Sequence, residues 1–179
     1  RSRVLIASSD PIRTVAAMLA CLWTGQTAAV IDAGVPPPVA LECARVVSPR
    51  VAWLSDAHVP VHAWPPGIDA RLIPRLSATG RLRSLSSNHL PAPATCDPTT
   101  DAVVILTSGS SGQPKGVRLS RGAIACHLRT LWKVWSGGRP VRMTSLLPLH
   151  HVDGLFQGAL LPLISGGMAW LSSRDPRVT

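Results

Sequence analysis

The sequence predicts an α/β fold: a layered, mostly parallel sheet with helices on its faces. Apolar segments at residues 4–7, 28–31 and 51–54 have the length and composition of buried strands. Helical segments at residues 11–24 and 39–47 separate them. The order β-α-β-α-β is typical of parallel sheets, because each crossover helix returns the chain to the same end of the sheet.

Local signals support these elements. Asp10 and Pro11 suit the N-cap and first turn of the first helix, and Gly25 suits its end. The second helix follows a run of three prolines. Residues 56–100 are rich in Pro, Ser and Arg, so we expect a long irregular connection with one short strand near Leu72.

Regular structure resumes at residue 101, with strands expected at residues 102–107 and 117–119. Ser120 is a good N-cap for a helix that ends at the glycine pair 137–138. One face of this helix is predicted to enter the core; it carries Ile124, Leu128, Leu131, Trp132 and Trp135. A strand at residues 141–147, an apolar helix with Phe156, Leu160 and Leu161, and a strand at 168–171 complete the series.

Composition narrows the class of protein. The formal charge is +9, but most basic residues are single arginines, and the one cluster lacks interleaved aromatic residues: Arg71, Arg75, Arg81 and Arg83. We therefore expect a solvated basic surface and no nucleic-acid partner. The two longest apolar windows are residues 14–31 and 146–171, and polar residues interrupt both, so no membrane span is expected. Four widely spaced cysteines predict reduced core thiols in a cytoplasmic protein: Cys21, Cys43, Cys96 and Cys126.

The segment SGSSGQPKG at residues 108–116 has the composition of a polyphosphate-binding loop. Its glycines allow close backbone approach, its N–H groups and hydroxyls are donors, and Lys115 adds a mobile positive charge. Pro114 stands five residues after Gly109, and no Gly-Lys-Ser/Thr follows, so the loop is not a Walker A motif. Gln113 breaks the Gly-x-Ser-x-Gly frame of a nucleophile elbow.

Residues 105–116, ILTSGSSGQPKG, resemble the phosphate-binding signature of the adenylate-forming superfamily, which includes acyl- and aryl-CoA ligases, luciferases and peptide-synthetase adenylation domains. The resemblance implies an ATP site in which Lys115 follows the departing pyrophosphate as a catalytic residue. The implied nucleotide-binding residues are Thr107, Ser108, Gly109, Ser110, Ser111, Gly112 and Lys115.

A second loop, PLHHVDG at residues 148–154, lies at a predicted strand-to-helix junction, where open α/β sheets bind ligands. It resembles the superfamily segment Pro-Leu-x-His-x-x-Gly beside the acyl pocket, and His151 falls on the family histidine. The resemblance therefore implies that His151, like Lys115, is a catalytic residue. Amino-acid-activating relatives carry there an Asp that pairs with the substrate ammonium, so His151 favours a fatty or aromatic acid without an α-amine. His150 is interpreted as a surface or packing residue. No metal site is predicted, because only Asp153 could accompany the histidines.

The resemblance implies ATP- and Mg²⁺-dependent activation of a small carboxylic acid, followed by transfer to CoA or to the phosphopantetheine of an acyl carrier protein. It predicts that residues 1–179 are part of a large N-terminal AMP-binding domain, with segments 1–55, 56–100 and 101–179. The family's adenine, ribose, hinge and C-terminal lysine motifs do not occur in this sequence. The 179-residue chain, without a C-terminal domain, is therefore expected to be inactive or weakly active alone.

Two alternatives stay open from the sequence. The chain could come from an amino-acid-activating adenylation domain of a peptide synthetase. It could also be a non-catalytic fragment that binds nucleotides or nucleic acids.

Overall fold

The computed structural model describes residues 2–55, 60–73, 92–108 and 113–172. The strands are β1 (Arg3–Ser8), β2 (Thr27–Ile31), β3 (Val51–Ser55), β4 (Asp69–Leu72), β5 (Asp101–Ser108), β6 (Pro114–Ser120), β7 (Arg142–Ser145) and β8 (Met168–Leu171). The helices are α1 (Pro11–Trp23), α2 (Pro37–Val47), α3 (Arg121–Ser136) and α4 (Leu161–Ile164), with a 3₁₀ turn at Val61–Ala63 and a π-helix at Gly154–Leu160.

Six strands form one sheet in the order β4-β3-β1-β2-β5-β6. The first five run parallel, and β6 turns back antiparallel to β5. A second sheet consists of β7 and β8 in parallel. The predicted α/β class with mostly parallel sheets is confirmed, as is the short strand near Leu72.

Side chains alternate between the two faces of the six-stranded sheet. On β1, Val4 and Ile6 pack with α1, α3 and the π-helix, whereas Leu5 and Ala7 pack with α2. Helices thus cover both faces, and this double burial explains why the strands appear in the sequence as continuous apolar runs.

The predicted helix starts are confirmed by their hydrogen bonds. Asp10 Oδ1 accepts from the backbone N–H groups of Ile12 and Arg13, at 2.9 and 3.2 Å. Ser120 Oγ accepts from the N–H of Ala123 at 3.2 Å. Both side chains satisfy N–H groups that have no partner inside the helix, which fixes where each helix begins.

Strand β5 enters the sheet next to β2, although these strands are far apart in sequence. The Thr27 hydroxyl donates to the carbonyl of Asp101 at 3.0 Å, across 74 positions of the chain. Ala28 and Ala29 pair with Val103 and Val104. The strand that precedes the glycine-rich loop is therefore held by the N-terminal part of the chain.

Two predictions about the C-terminal third need correction. Trp135 is 52% exposed, not in the core, because α3 leaves the core one turn earlier: Trp132 is only partly buried. Strand β7 ends at Ser145, where its pairing with β8 ends, so Leu146 and Leu147 are exposed. The predicted apolar helix is confirmed, and it consists of a π-helix followed by the short α4.

The four cysteines are free thiols in this structure, and the prediction that all of them lie in the core is wrong. Cys21 and Cys43 are buried, one on each side of the sheet, whereas Cys96 is half-buried and Cys126 is exposed. Cys126 lies on α3 between Ile124 and Leu128, and a helix turns its side chain away from the face that those two residues bury.

We expect Cys21 to make stability fall at alkaline pH. Burial raises the pKa of its thiol from an ordinary value of 9.0 to about 12. The unfolded thiol therefore ionises first, and the stability present below pH 9 is lost as pH rises towards 12. At about 1.4 kcal/mol per pKa unit, the loss between roughly pH 8 and 10.5 is about 2 kcal/mol.

Urea unfolding of the wild-type protein and Cys21→Ala at both pH values measures this loss. Cys126→Ala, which removes an exposed thiol, is the control and should retain the wild-type pH dependence. An equal pH dependence in wild type and Cys21→Ala would contradict the assignment.

Candidate functional site

The two arms of the glycine-rich loop form an antiparallel hairpin. Thr107 pairs with Lys115 and Ser108 with Pro114, at the end of the β5–β6 ladder. The Thr107 hydroxyl donates to the carbonyl of Lys115 at 3.5 Å, which is a long hydrogen bond. The hairpin thus places Thr107 and Lys115, both exposed, across from each other at the mouth of the loop.

The tip of this loop lies outside the described residues. It contains Gly109, Ser110, Ser111 and Gly112, so their role as phosphate donors stays a prediction. For Ser108 the structure gives the backbone pairing with Pro114. The structure describes the two arms of the loop: β5 ends at Ser108 and β6 begins at Pro114.

The basic side chains of β6 differ in their surroundings. Arg118 Nε donates to Asp101 Oδ2 at 2.7 Å, so its charge is paired at the base of the hairpin. Lys115 has no carboxylate partner within the described ranges. The mouth of the loop therefore carries an uncompensated positive charge, which suits an anionic ligand.

Two residues that the sequence analysis did not select hold the hairpin in place. A Cβ on Gly116 would lie 3.1 Å from Val104 Cγ1 and 3.2 Å from Val46 Cγ1, so a glycine here lets α2 pack closely on β6. The guanidinium of Arg121, the first residue of α3, donates to the carbonyls of Leu22 and Gln26 at 3.0 and 3.1 Å. The position of Gly116 in the Pro-Lys-Gly segment could have indicated its importance, whereas no feature of the sequence distinguishes Arg121.

The second loop places His151 at the start of the π-helix. Its N–H donates to the carbonyl of Pro148 at 3.1 Å, and its own carbonyl accepts from the N–H of Leu155 at 3.0 Å. The ring is exposed and lies 4.4 Å from the ring of His150, centroid to centroid, at a tilt of 44°. The backbone of His151 is therefore fixed while its imidazole stays accessible to a ligand.

Asp153 is engaged within the same segment. Its Oδ1 accepts from Gln157 Nε2 at 2.9 Å, one turn along the helix. The described residues contain no group of three His, Cys, Asp or Glu side chains that could hold a metal ion. This loop therefore offers a ligand the imidazole of His151.

Helix α3 packs against the elements that carry both loops. It begins directly after β6 and packs against β5, β6 and the π-helix. Near its middle, the ring of His127 contacts the buried ring of Phe156 edge-on, with centroids 6.3 Å apart. The glycine-rich hairpin and the histidine loop are thus parts of one packed unit.

This fold and this loop define an enzyme class, and comparison with known proteins identifies it. The sequence profile of the AMP-binding enzyme family matches residues 1–179. The chain belongs to the AMP-binding enzyme family.

Individual relatives agree with this assignment. The sulfoacetate–CoA ligase of Cupriavidus necator is 33% identical over 106 residues, which cover 59% of this chain and 19% of the ligase. The fatty acid–[acyl-carrier-protein] ligase MmaC of Mycobacterium marinum is 29% identical over an alignment of 180 residues, which covers 93% of this chain and 33% of MmaC. The chain thus spans about a fifth to a third of the length of these relatives.

Solved structures show the same fold. The crystal structure of ATP-bound MatB from Rhodopseudomonas palustris superposes with a TM-score of 0.77 at 19% sequence identity. The match covers 96% of this chain and 35% of MatB. None of the helices in the described ranges combines the length and hydropathy needed to cross a bilayer.

Proposed function

We propose that this chain forms the phosphate-binding and acid-binding part of an enzyme that activates a carboxylic acid with ATP. The observation that carries the proposal is the β5–β6 hairpin, which places the uncompensated charge of Lys115 opposite Thr107 at the mouth of the family's glycine-rich loop. The choice of ATP as the anionic ligand rests on membership of the AMP-binding enzyme family.

In the proposed reaction, a carboxylate oxygen attacks the α-phosphorus of ATP, and the bond from that phosphorus to the bridging oxygen breaks. The products are an acyl-adenylate and pyrophosphate. Two anions must meet and negative charge must move onto the leaving group, so the protein acts mainly by positioning and neutralisation. In this proposal Lys115 and the Thr107 hydroxyl contact the β- and γ-phosphates, and the N–H groups of residues 109–112 are further predicted donors.

A magnesium ion would be held at this site mainly by the phosphates of the bound nucleotide. Mg²⁺ keeps several waters and is usually held by substrate phosphates with few protein oxygens. At the described mouth of the loop, the Thr107 hydroxyl is a protein oxygen that could approach such an ion. When bound with ATP, the ion would neutralise the phosphate charge beside Lys115.

The surroundings of the second loop favour an acid substrate without an α-amine. The imidazole of His151 is exposed, whereas the Asp153 carboxylate is bound by Gln157. No free carboxylate in this described loop is available to pair with a substrate ammonium. We infer a fatty or aromatic acid, with transfer to CoA or to a carrier-protein phosphopantetheine in the cytoplasm, where ATP and CoA are available. The relatives' names include a CoA ligase and an acyl-carrier-protein ligase.

Acid-dependent ATP–pyrophosphate exchange tests this function. Residues 1–179 are fused to the part of MmaC that they do not match, with MmaC itself as the reference. We expect exchange with octanoate or benzoate and none with leucine or phenylalanine. The 179-residue chain alone should bind Mg·ATP without efficient exchange, because it spans only a third of MmaC.

The alternatives give different results. Exchange with the amino acids alone would favour an amino-acid-activating domain. Salt-sensitive DNA binding that survives Lys115→Ala, together with absent nucleotide binding, would favour a nucleic-acid-binding fragment.

A further inference from the structure

The π-helix approaches β7 and the following loop through two buried glycines. A Cβ on Gly158 would lie 2.2 Å from Ser145 Oγ and 2.6 Å from Ser145 Cβ. A Cβ on Gly154 would lie 2.2 Å from the carbonyl oxygen of Pro148. These glycines are four residues apart, close to one turn of a π-helix, so they face the same segment.

These contacts hold both ends of the loop that carries His151. Ser145 is the last residue of β7 and touches Gly158, while Pro148 touches Gly154 and accepts the N–H of His151. The carbonyl of His151 is bonded to Leu155, in the first turn of the π-helix. The position of the helix along β7 therefore sets the position of His151.

Strand β7 is the rigid side of this contact. Ser145 is 6% exposed and pairs with Leu171 of β8, and its carbonyl accepts from the N–H of Ser172 at 3.1 Å. Its Cβ cannot rotate away from a larger residue at position 158, whereas its hydroxyl can. The π-helix must then move, and the Leu155–His151 hydrogen bond transmits the movement to the loop.

We propose that the Ser145–Gly158 contact is a positioning element that fixes His151 against the acid substrate. This inference rests on the proposed function for its consequence in catalysis, but the geometry of the contact does not depend on it. Gly158 acts through His151 and does not itself touch the reacting atoms. A residue with a side chain at position 158 is expected to alter acid recognition and leave nucleotide recognition intact.

The first test follows the imidazole signals of His151 by nuclear magnetic resonance in chain labelled with ¹⁵N-histidine. His151→Gln assigns the signals, and those of His62, in the distant 3₁₀ turn, are the internal control. Gly158→Ala should shift the His151 signals and leave those of His62 unchanged. The double variant Ser145→Gly/Gly158→Ala restores space and should return the His151 signals towards the wild-type positions.

The second test uses the MmaC fusion. Gly158→Ala should raise the KM for octanoate about tenfold or more, because small misplacements of a positioning group cost large factors, while the KM for ATP stays within about twofold. The double variant should recover most of the loss.

Unchanged His151 signals in Gly158→Ala, or signals that the double variant does not restore, would overturn the positioning role. If Gly158→Ala does not fold, the double variant must still fold with near-native His151 signals; failure to do so also overturns it. Expected signals without exchange in any fusion, including the wild-type one, would refute the proposed function and leave the positioning role standing.

Discussion

Lys115→Ala is expected to weaken the binding of Mg·ATP by roughly 10- to 100-fold. A hydrogen bond to a charged group contributes about 1.5–3 kcal/mol, and each 1.4 kcal/mol is a factor of ten in affinity. Lys115 is exposed at the mouth of the loop without a carboxylate partner in the described ranges, so its charge is available to the phosphates. Titration with a fluorescent ATP analogue and Mg²⁺ measures the loss.

The matched control for this prediction is Lys133→Ala. Lys133 is the other lysine of the chain, and it lies exposed on α3. Its removal should leave ATP affinity unchanged within about twofold, since exposed charges far from a ligand are screened. Lys115→Arg should recover only part of the affinity, because a planar guanidinium does not reproduce a compact ammonium. Equal losses for the two alanine variants would show that net charge, not a defined phosphate contact, determines binding.

Gly167→Ala is expected to destabilise the protein by about 3 kcal/mol or more, through loss of the β7–β8 sheet. A Cβ at position 167 would lie 1.8 Å from the carbonyl oxygen of Val141 and within 2.7 Å of its backbone carbon and nitrogen. All three are backbone atoms, so no rotamer change relieves the overlap. The adjacent N–H of Met168 bonds to the same carbonyl, at 2.9 Å. Thermal unfolding should show a Tm lower by about 6–12 °C.

The neighbouring glycine separates this steric effect from backbone strain. Gly166 has a φ of +70° and nothing within 4 Å of an added Cβ. Gly166→Ala should therefore cost about 1–2 kcal/mol, from the left-handed backbone alone. A Gly167→Ala variant no less stable than Gly166→Ala would show that β7 and β8 can separate without loss.

Local features of the fold were predictable because their causes are local. Asp10 and Ser120 mark the helix starts through hydrogen bonds to N–H groups two or three residues away. Buried parallel strands need apolar side chains on both faces, so β1 and β2 appear in the sequence as apolar runs. The glycine-rich loop indicated the class of protein by resemblance, and the family profile that matches residues 1–179 confirms it.

Features that depend on distant contacts were not predictable. The exposure of Trp135 depends on where α3 leaves the core, and the close packing of the π-helix on β7 depends on Gly158 lying against Ser145. Nothing in the sequence distinguishes Arg121 from the other arginines. Its role depends on the fold, which places its guanidinium against the carbonyl of Leu22 near the end of α1. Ser145 and Gly158 have no sequence signal, because a small residue at one position has meaning only when its neighbour in space is known.

The pairing of β5 with β2 has a consequence for the order of folding. Strands β1, β2 and β3 are joined by short crossovers, but the Thr27–Asp101 contact closes a loop of 74 residues, and the Arg121–Leu22 bond closes one of 99. Closing such loops costs entropy before the contacts that offset it exist, and it slows folding. The N-terminal strands should therefore assemble first, and the β5–β6 hairpin should be among the last parts to acquire its native geometry.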